Sequence, residues 1–461
     1  MGRNARATVG SMAFKGYGVT RVEGQVVFVP YSVTGDEAWI EIVEEKKNYA
    51  WGRLERLLVP SPWRVSPPCP YFGKCGGCHW QHIEGTKQAE IKRDIFQDIL
   101  RRLGGLEEIP PVSIVPSPRP YGYRVRVQLK VAGKALGFHQ AGSHQIVEIG
   151  PCPISHPLIN QILSILREEQ RYLSSFKEIE IRVSPEEGKG VLILQSDFFQ
   201  QKQHAFAKQI LHNHSVLKGI AITGREGSAS FGDPFLTFSV SLDPKGEKRR
   251  VKLRASPGSF FQINLEQNQA LIDAVLQFGE VKEEERVLDL YAGIGNLTLP
   301  LAFRAKEATG VEESRAAVED ARFNAKENEI NRCGFLSGRT EEVLRLWAKE
   351  KPDLTVLDPP RAGGKKIVNL IAGLGSKRIV YVSCDPATLS RDLQLFAKTG
   401  YLLQRLSLID MFPQTYHMET VALLSLKGFK GPRAQGVEER MITSGPDVSG
   451  VNTRTLDPSN P

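Results

Sequence analysis

Cys384 lies in Ser383-Cys384-Asp385-Pro386-Ala387-Thr388, directly after the apolar run Arg378-Ile-Val-Tyr-Val-Ser383. A short β-branched and aromatic run that stops at a turn reads as a buried parallel strand. Reactive groups in open α/β sheets collect just beyond the carboxyl ends of such strands. A thiol at that point is placed as a nucleophile, whereas inside the strand it would be a small buried hydrophobe. A second set of thiols is spaced for a different chemistry. Cys69, Cys75 and Cys78 fall in Cys69-Pro-Tyr-Phe-Gly-Lys-Cys75-Gly-Gly-Cys78-His-Trp-Gln-His82. Glycines between them let the backbone fold sharply, so the stretch reads as a metal-binding loop that needs one more ligand. Cys152, between Pro151 and Pro153, is the expected fourth. Four thiolates suit either zinc or an iron–sulfur cluster, and the spacing leaves that choice open. His79 and His82 read as neighbours of the loop rather than as ligands.

The elements that position these groups follow from the rest of the chain. Its 461 residues exceed one ordinary core and predict two or three domains. With 41% hydrophobic and 24% charged residues the composition is that of a globular protein. No apolar run approaches the roughly 20 residues that span a membrane, and the first residues lack the apolar core of a signal peptide. A cytoplasmic location is therefore expected. Six cysteines are too few for a disulfide framework. A net charge of +8 favours an anionic partner, of which nucleic acid is the commonest.

Residues 1–60 alternate apolar and polar positions between Gly and Pro punctuation, as in Gly24-Gln-Val-Val-Phe-Val-Pro30 and Ala38-Trp-Ile-Glu-Ile-Val43. This predicts a small OB-like β-barrel of the kind that binds oligonucleotides. Residues 61–255 hold the cysteine loop, an amphipathic helix over Lys87 to Leu103, a Pro-rich link and then mixed α+β structure. In Tyr121-Gly-Tyr-Arg-Val-Arg-Val-Gln-Leu-Lys130 the alternation puts Arg124, Arg126 and Lys130 on one strand face, fit for single-stranded RNA. A second basic cluster is Lys248-Arg-Arg-Val-Lys-Leu-Arg254.

Residues 256–427 change character. Arg286-Val-Leu-Asp-Leu-Tyr291 runs into Ala292-Gly-Ile-Gly-Asn296; further strands end at Gly310-Val-Glu312, at Leu354-Thr-Val-Leu-Asp358-Pro-Pro360 and at Cys384. Alternating β and α segments with glycine-rich or acidic strand ends predict a Rossmann-like, doubly wound parallel sheet for a nucleotide-like ligand. Glu312, at a strand tip, is placed to bind ribose hydroxyls or to cap the following helix. Residues 428–461, rich in Gly, Pro, Ser and Thr, are expected to be disordered.

Five motifs occur in the order found in the RNA 5-methyluridine methyltransferases, which use S-adenosylmethionine. They are Ser259-Phe-Phe-Gln-Ile-Asn264, Asp289-Leu-Tyr-Ala-Gly-Ile-Gly-Asn296, Asp358-Pro-Pro-Arg361, Ser383-Cys-Asp-Pro-Ala-Thr388 and Asp410-Met-Phe-Pro-Gln-Thr-Tyr-His-Met-Glu419. The barrel resembles their TRAM domain and the cysteine loop resembles the site of their [4Fe-4S] cluster. One departure is Ala292, where relatives often have Cys. The resemblance implies that Cys384 attacks carbon 6 of uracil and that Glu419 removes the carbon 5 proton. It also implies that Gln262, Tyr291, Asn296, Glu312 and Asp358 contact the cofactor, and that Cys69, Cys75, Cys78 and Cys152 hold the cluster. Ribosomal RNA is the favoured partner, because many bacterial transfer-RNA members lack both barrel and cysteine loop; transfer RNA is the alternative. Neither a membrane nor an obligate protein partner is implied. Two rival classes are an RNA cytosine-5 methyltransferase and a non-catalytic iron–sulfur RNA-binding protein.

Overall fold

The computed structural model describes residues 3–198, 201–225, 227–242, 248–347 and 351–429. The expected disorder of the tail falls almost wholly outside these residues.

The first six strands are β1 (Arg3–Thr8), β2 (Ser11–Ala13), β3 (Tyr17–Val22), β4 (Gln25–Pro30), β5 (Glu37–Glu45) and β6 (Tyr49–Val59), ordered β1-β5-β6-β4-β3-β2. The two outermost strands of this order are consecutive in the chain. β1 pairs with β5 and β2 with β3, and between them Gly10 N–H donates to the Val19 carbonyl at 2.9 Å. The sheet thus closes on itself through one bent strand, which removes its free edges. Alternate residues Val27, Val29, Ala38 and Ile40 fill the interior. Space there is tight: a Cβ on Gly52 would lie 2.5 Å from Ile40 Cγ2.

A helix, Gly85–Arg102, and β7 (Val112–Val115) come next. The middle sheet has seven strands: β8 (Arg126–Ala132), β9 (Ala135–His139), β10 (Ile146–Glu148), β11 (Glu178–Ser184), β12 (Lys189–Gln195), β13 (Leu217–Gly224) and β14 (Gly227–Gly232). Its order is β10-β9-β8-β11-β12-β13-β14, and β15 (Leu236–Leu242) and β16 (Arg249–Ala255) form a hairpin beside it.

The last sheet contains β17 (Arg286–Leu290), β18 (Glu307–Glu312), β19 (Cys333–Ser337), β20 (Leu354–Leu357), β21 (Arg378–Ser383), β22 (Tyr401–Ile409) and β23 (Glu419–Leu426), in the order β19-β18-β17-β20-β21-β23-β22-β7. β17 to β21 are parallel and reverse direction of succession between β17 and β20. That switch point opens a crevice at the strand ends, as the doubly wound expectation requires. β23 is antiparallel, and β7, from the middle of the chain, completes the edge in parallel with β22. The helix Gly85–Arg102 packs here too, its Ile95, Phe96 and Leu100 sharing a core with Leu393, Phe396 and Tyr401.

The basic strand differs from its expectation. β8 begins only at Arg126, and Arg124 lies before it in isolated bridges to Ser155 and Asn264. Arg126 and Lys130 are also not free cations, because Glu180 and Glu178 of β11 neutralise them across the sheet. In the second cluster Arg250 pairs with Glu186 and Arg254 with Asp320.

Candidate active site

Cys384 is fixed from both sides. All of β21 before it is buried, and the helix Pro386–Lys398 after it is capped by Asp385, whose carboxylate accepts the N–H groups of Ala387 (3.0 Å) and Thr388 (2.9 Å). Ser383 Oγ accepts the Asp385 N–H at 3.2 Å and tightens the turn. The single residue between strand and cap is thereby presented at the crevice. Register supplies its neighbour. Ser383 pairs with Thr420 across the antiparallel β21–β23 ladder, so Glu419, at 3% exposure, lies beside Cys384. Asp358 follows the adjacent strand β20 and is half-buried.

These groups alter one another. Burial, and after it the nearby Glu419 and Asp358 carboxylates, push the Cys384 thiol up to about 12, while Arg361 opposes them. Glu419 is held well above the usual carboxylate range by burial and then by Asp358. Burial also pushes Asp358 up to about 7. A buried and a half-buried carboxyl set this close resist double ionisation, so the pair holds a proton more firmly than two free carboxylates would.

The adjoining pocket is walled by Phe261, Gln262, Asp289, Tyr291, Asn296 and Asp358. β17 enters it through Tyr291, whose φ of +65° is in the left-handed region, followed by Gly293 at +56° and Gly295 at +87°. A tyrosine held there is strained, which marks a constrained site. Glu312 stabilises the turn, its carboxylate accepting Gly293 N–H at 3.0 Å and Ser314 N–H at 2.8 Å. It braces the pocket wall at Gly293 from behind rather than lining the pocket itself. Asn296 also lines the pocket, and its amide exchanges two hydrogen bonds with Asn268, at 2.9 and 2.8 Å. Sequence reasoning did not single out Asp289, although it lies within a quoted motif. Thr298 Oγ1 donates to its Oδ2 at 2.6 Å, while the buried Oδ1 has no hydrogen-bond partner among the described residues, and burial pushes the carboxyl up to about 7. A partnerless buried acceptor in a pocket wall fits a polar ligand that would satisfy it.

A profile for tRNA (Uracil-5-)-methyltransferase matches residues 235–427. The 23S rRNA (uracil(1939)-C(5))-methyltransferase RlmD of Pectobacterium atrosepticum is 35% identical over 430 residues, covering 91% of this chain and 93% of that protein. The chain belongs to the RNA uracil-5-methyltransferase family. An RNA methyltransferase of Aquifex aeolicus is 32% identical, with 92% of this chain and 98% of that one covered. Among solved structures, the tRNA (uracil-54, C5)-methyltransferase of Pyrococcus abyssi, in complex with S-adenosyl-L-homocysteine, superposes with a TM-score of 0.71 at 26% identity. The match covers 91% of this chain and 99% of that one. The family resemblance and the mixed architecture read from the sequence thus both hold.

In this uracil-5-methyltransferase, Cys69, Cys75, Cys78 and Cys152 line one cavity of about 1210 Å³. The barrel contributes Tyr17 and Trp51 to the same cavity, and Tyr416, three residues before Glu419, also lines it. Among the described residues no group of three or more His, Cys, Asp or Glu side chains is placed to hold a single metal ion. Neither His79 nor His82 lies at the surface: both are pushed down to about 4, chiefly by burial.

The chain between β22 and β23 is braced from the helix Gly85–Arg102. Fully buried Lys92 donates to Asp410 Oδ1 at 2.6 Å and to the Phe412 carbonyl at 3.0 Å, and Gln88 Oε1 accepts the Gln414 N–H at 2.9 Å. The cysteine loop adds to the brace, with His79 N–H (2.9 Å) and Trp80 N–H (3.0 Å) donating to the Gln414 carbonyl. Replacing Lys92 by Met leaves Asp410 buried without its cation, and a loss of about 3–5 kcal/mol is expected in urea unfolding. Adding Asp410→Leu should recover much of it; a Lys92→Met protein as stable as the parent would show the pair to be energetically idle.

Proposed function

We propose that this enzyme methylates carbon 5 of a uridine in 23S ribosomal RNA, with Cys384 as nucleophile and Glu419 as general base. The observation that carries the reading is the register that sets a buried carboxyl beside a thiol at the mouth of the cofactor crevice. When bound, S-adenosylmethionine supplies an electrophilic methyl group on a sulfonium. Gln262, Tyr291, Asn296, Glu312 and Asp358 would form its site, together with Asp289 and its free oxygen.

Carbon 5 of uracil is a weak nucleophile. Addition of the Cys384 thiolate to carbon 6 moves an electron pair toward carbon 5, which would take the methyl group as its bond to the sulfonium sulfur breaks and the neutral thioether, S-adenosylhomocysteine, leaves. Carbon 5 now carries both the methyl group and its original hydrogen. Glu419 accepts that proton, the carbon 5–carbon 6 double bond re-forms, and the Cys384 sulfur leaves. The target base must leave its stack to reach the thiol, at a cost of about a few kcal/mol. The cavity edged by Tyr17, Trp51 and Tyr416, with Arg124 in its wall, supports a path for the unstacked strand. Cys69, Cys75, Cys78 and Cys152 would hold a [4Fe-4S] cluster; four thiols on one cavity suit it, and it would supply a rigid link to the braced loop. The ribosomal substrate is favoured by the Pectobacterium relative, 35% identical over 91% of this chain; the Pyrococcus tRNA enzyme, 26% identical over the same share, makes transfer RNA the alternative, and an RNA substrate suits a cytoplasmic enzyme.

The test incubates anaerobically purified protein with S-adenosylmethionine and either 23S rRNA or tRNA transcripts, followed by nucleoside mass spectrometry. 5-Methyluridine in the 23S sample is expected; its appearance only in tRNA would move the substrate, and 5-methylcytidine would refute the uracil assignment.

The pH profile has a definite sign. Each unit below a thiol pKa near 12 leaves tenfold less thiolate, and Glu419, held above the usual carboxylate range by burial and by Asp358, likewise gains base character as pH rises. Both trends act in one direction. The kcat/KM for RNA should climb at least about tenfold between roughly pH 6 and 8.5; a flat profile would disconnect it from Cys384 ionisation.

A further inference from the structure

Two phenylalanines precede Gln262 in the pocket wall, and an arginine of the middle sheet lies over each. The Arg126 guanidinium is 5.8 Å from the Phe260 ring centre, and that of Arg182 is 5.6 Å from the Phe261 ring centre. Arg182, on β11, is only 5% exposed, and its donors converge on one short segment. Nη1 donates to the carbonyls of Ser256 (3.0 Å) and Ser259 (2.8 Å), and Nη2 to that of Pro257 (3.0 Å). Nε donates to Glu180, which also receives a bidentate pair from Arg126 at 2.8 and 3.0 Å.

The same segment is gripped from the opposite side. Asp320 accepts the Ser256 N–H at 2.7 Å and the Ser259 hydroxyl at 2.6 Å. Between these two anchors the backbone of residues 256–259 has little freedom, and it leads directly into Phe260, Phe261 and Gln262 of the pocket. A planar fork reaching three carbonyls while ion-paired through its remaining nitrogen is a geometry that lysine, a compact charge with one nitrogen, cannot reproduce.

We propose that Arg182 is a positioning residue for S-adenosylmethionine binding. It holds the 256–259 backbone through three carbonyls so that Phe261 and Gln262 meet the cofactor in a set geometry, and Glu180 orients the guanidinium. The role lies in the middle sheet, outside the residues that touch the cofactor. The inference rests on the reading of the Gln262 pocket as the cofactor site.

The experiment measures S-adenosylhomocysteine affinity by calorimetry, and RNA affinity by filter binding, on the full chain and its Arg182→Lys, Glu180→Gln and Gln262→Ala variants. Arg182→Lys should weaken S-adenosylhomocysteine by about tenfold or more, with RNA affinity within about twofold of the parent. Glu180→Gln should act in the same direction and more mildly. In turnover, KM for S-adenosylmethionine should rise more than kcat falls. The proposal is overturned if Arg182→Lys keeps parental S-adenosylhomocysteine affinity while Gln262→Ala loses it. Equal losses for cofactor and RNA would also overturn it, since they indicate a general packing role. Parental affinity in both Arg182→Lys and Gln262→Ala would remove the pocket assignment and this inference together. If Arg182→Lys does not accumulate as folded protein, Glu180→Gln, which preserves shape, is judged by the same criteria.

Discussion

A Glu419→Gln protein is expected to become trapped on its RNA. Glutamine keeps the volume of a residue that is 3% exposed beside Cys384, so folding and base binding should survive. It cannot accept the carbon 5 proton. In the proposed mechanism thiolate addition and methyl transfer both precede that step, so the variant should accumulate an RNA–protein adduct with the methyl group already in place. Turnover should fall by about 10²–10⁴. Radiolabelled methyl in a band that survives a denaturing gel checks this. Turnover lost without any adduct would mean that Glu419 acts earlier or only structurally, and near-normal turnover would remove it from the mechanism.

Cys384→Ala should have the larger effect. Without the thiol nothing adds to carbon 6, and methylation should drop by about four orders of magnitude or more. Affinity for RNA and for S-adenosylhomocysteine should stay near parental, because the turn is held by Ser383 and Asp385 rather than by the sulfur. Combining it with Glu419→Gln should abolish the adduct and cost little more than the cysteine change alone, since the two residues act in one sequence of bonds. An adduct persisting without Cys384 would place the nucleophile elsewhere.

How legible each part was depends on the range of the interaction involved. Cys384 could be found locally, because a buried strand, a turn and a helix cap are all encoded within ten residues of it. Glu419 could not: its link to Cys384 is a ladder register set by pairing over long sequence separation, and only the motif resemblance pointed to it. The basic stretches were read as open charge because their carboxylate partners, Glu178, Glu180, Glu186 and Asp320, come from other strands and a helix. Asn296, in the turn after β17, likewise has a distant partner, Asn268, on the helix Leu265–Gly279. The doubly wound sheet was legible from the alternation of strands and helices. The contribution of β7 to that sheet was not, because four residues carry too little periodicity to announce their neighbour.

β7 and the buried face of the helix Gly85–Arg102 also decide how the molecule could be dissected. A truncation beginning near residue 256 would remove the outermost strand from the catalytic sheet, bare the edge of β22, and uncover the apolar surface around Leu393, Phe396 and Tyr401. Such a fragment would be an aggregating remnant rather than a free-standing transferase. Recombination that swaps the N-terminal third between relatives would have to carry matching halves of this seam.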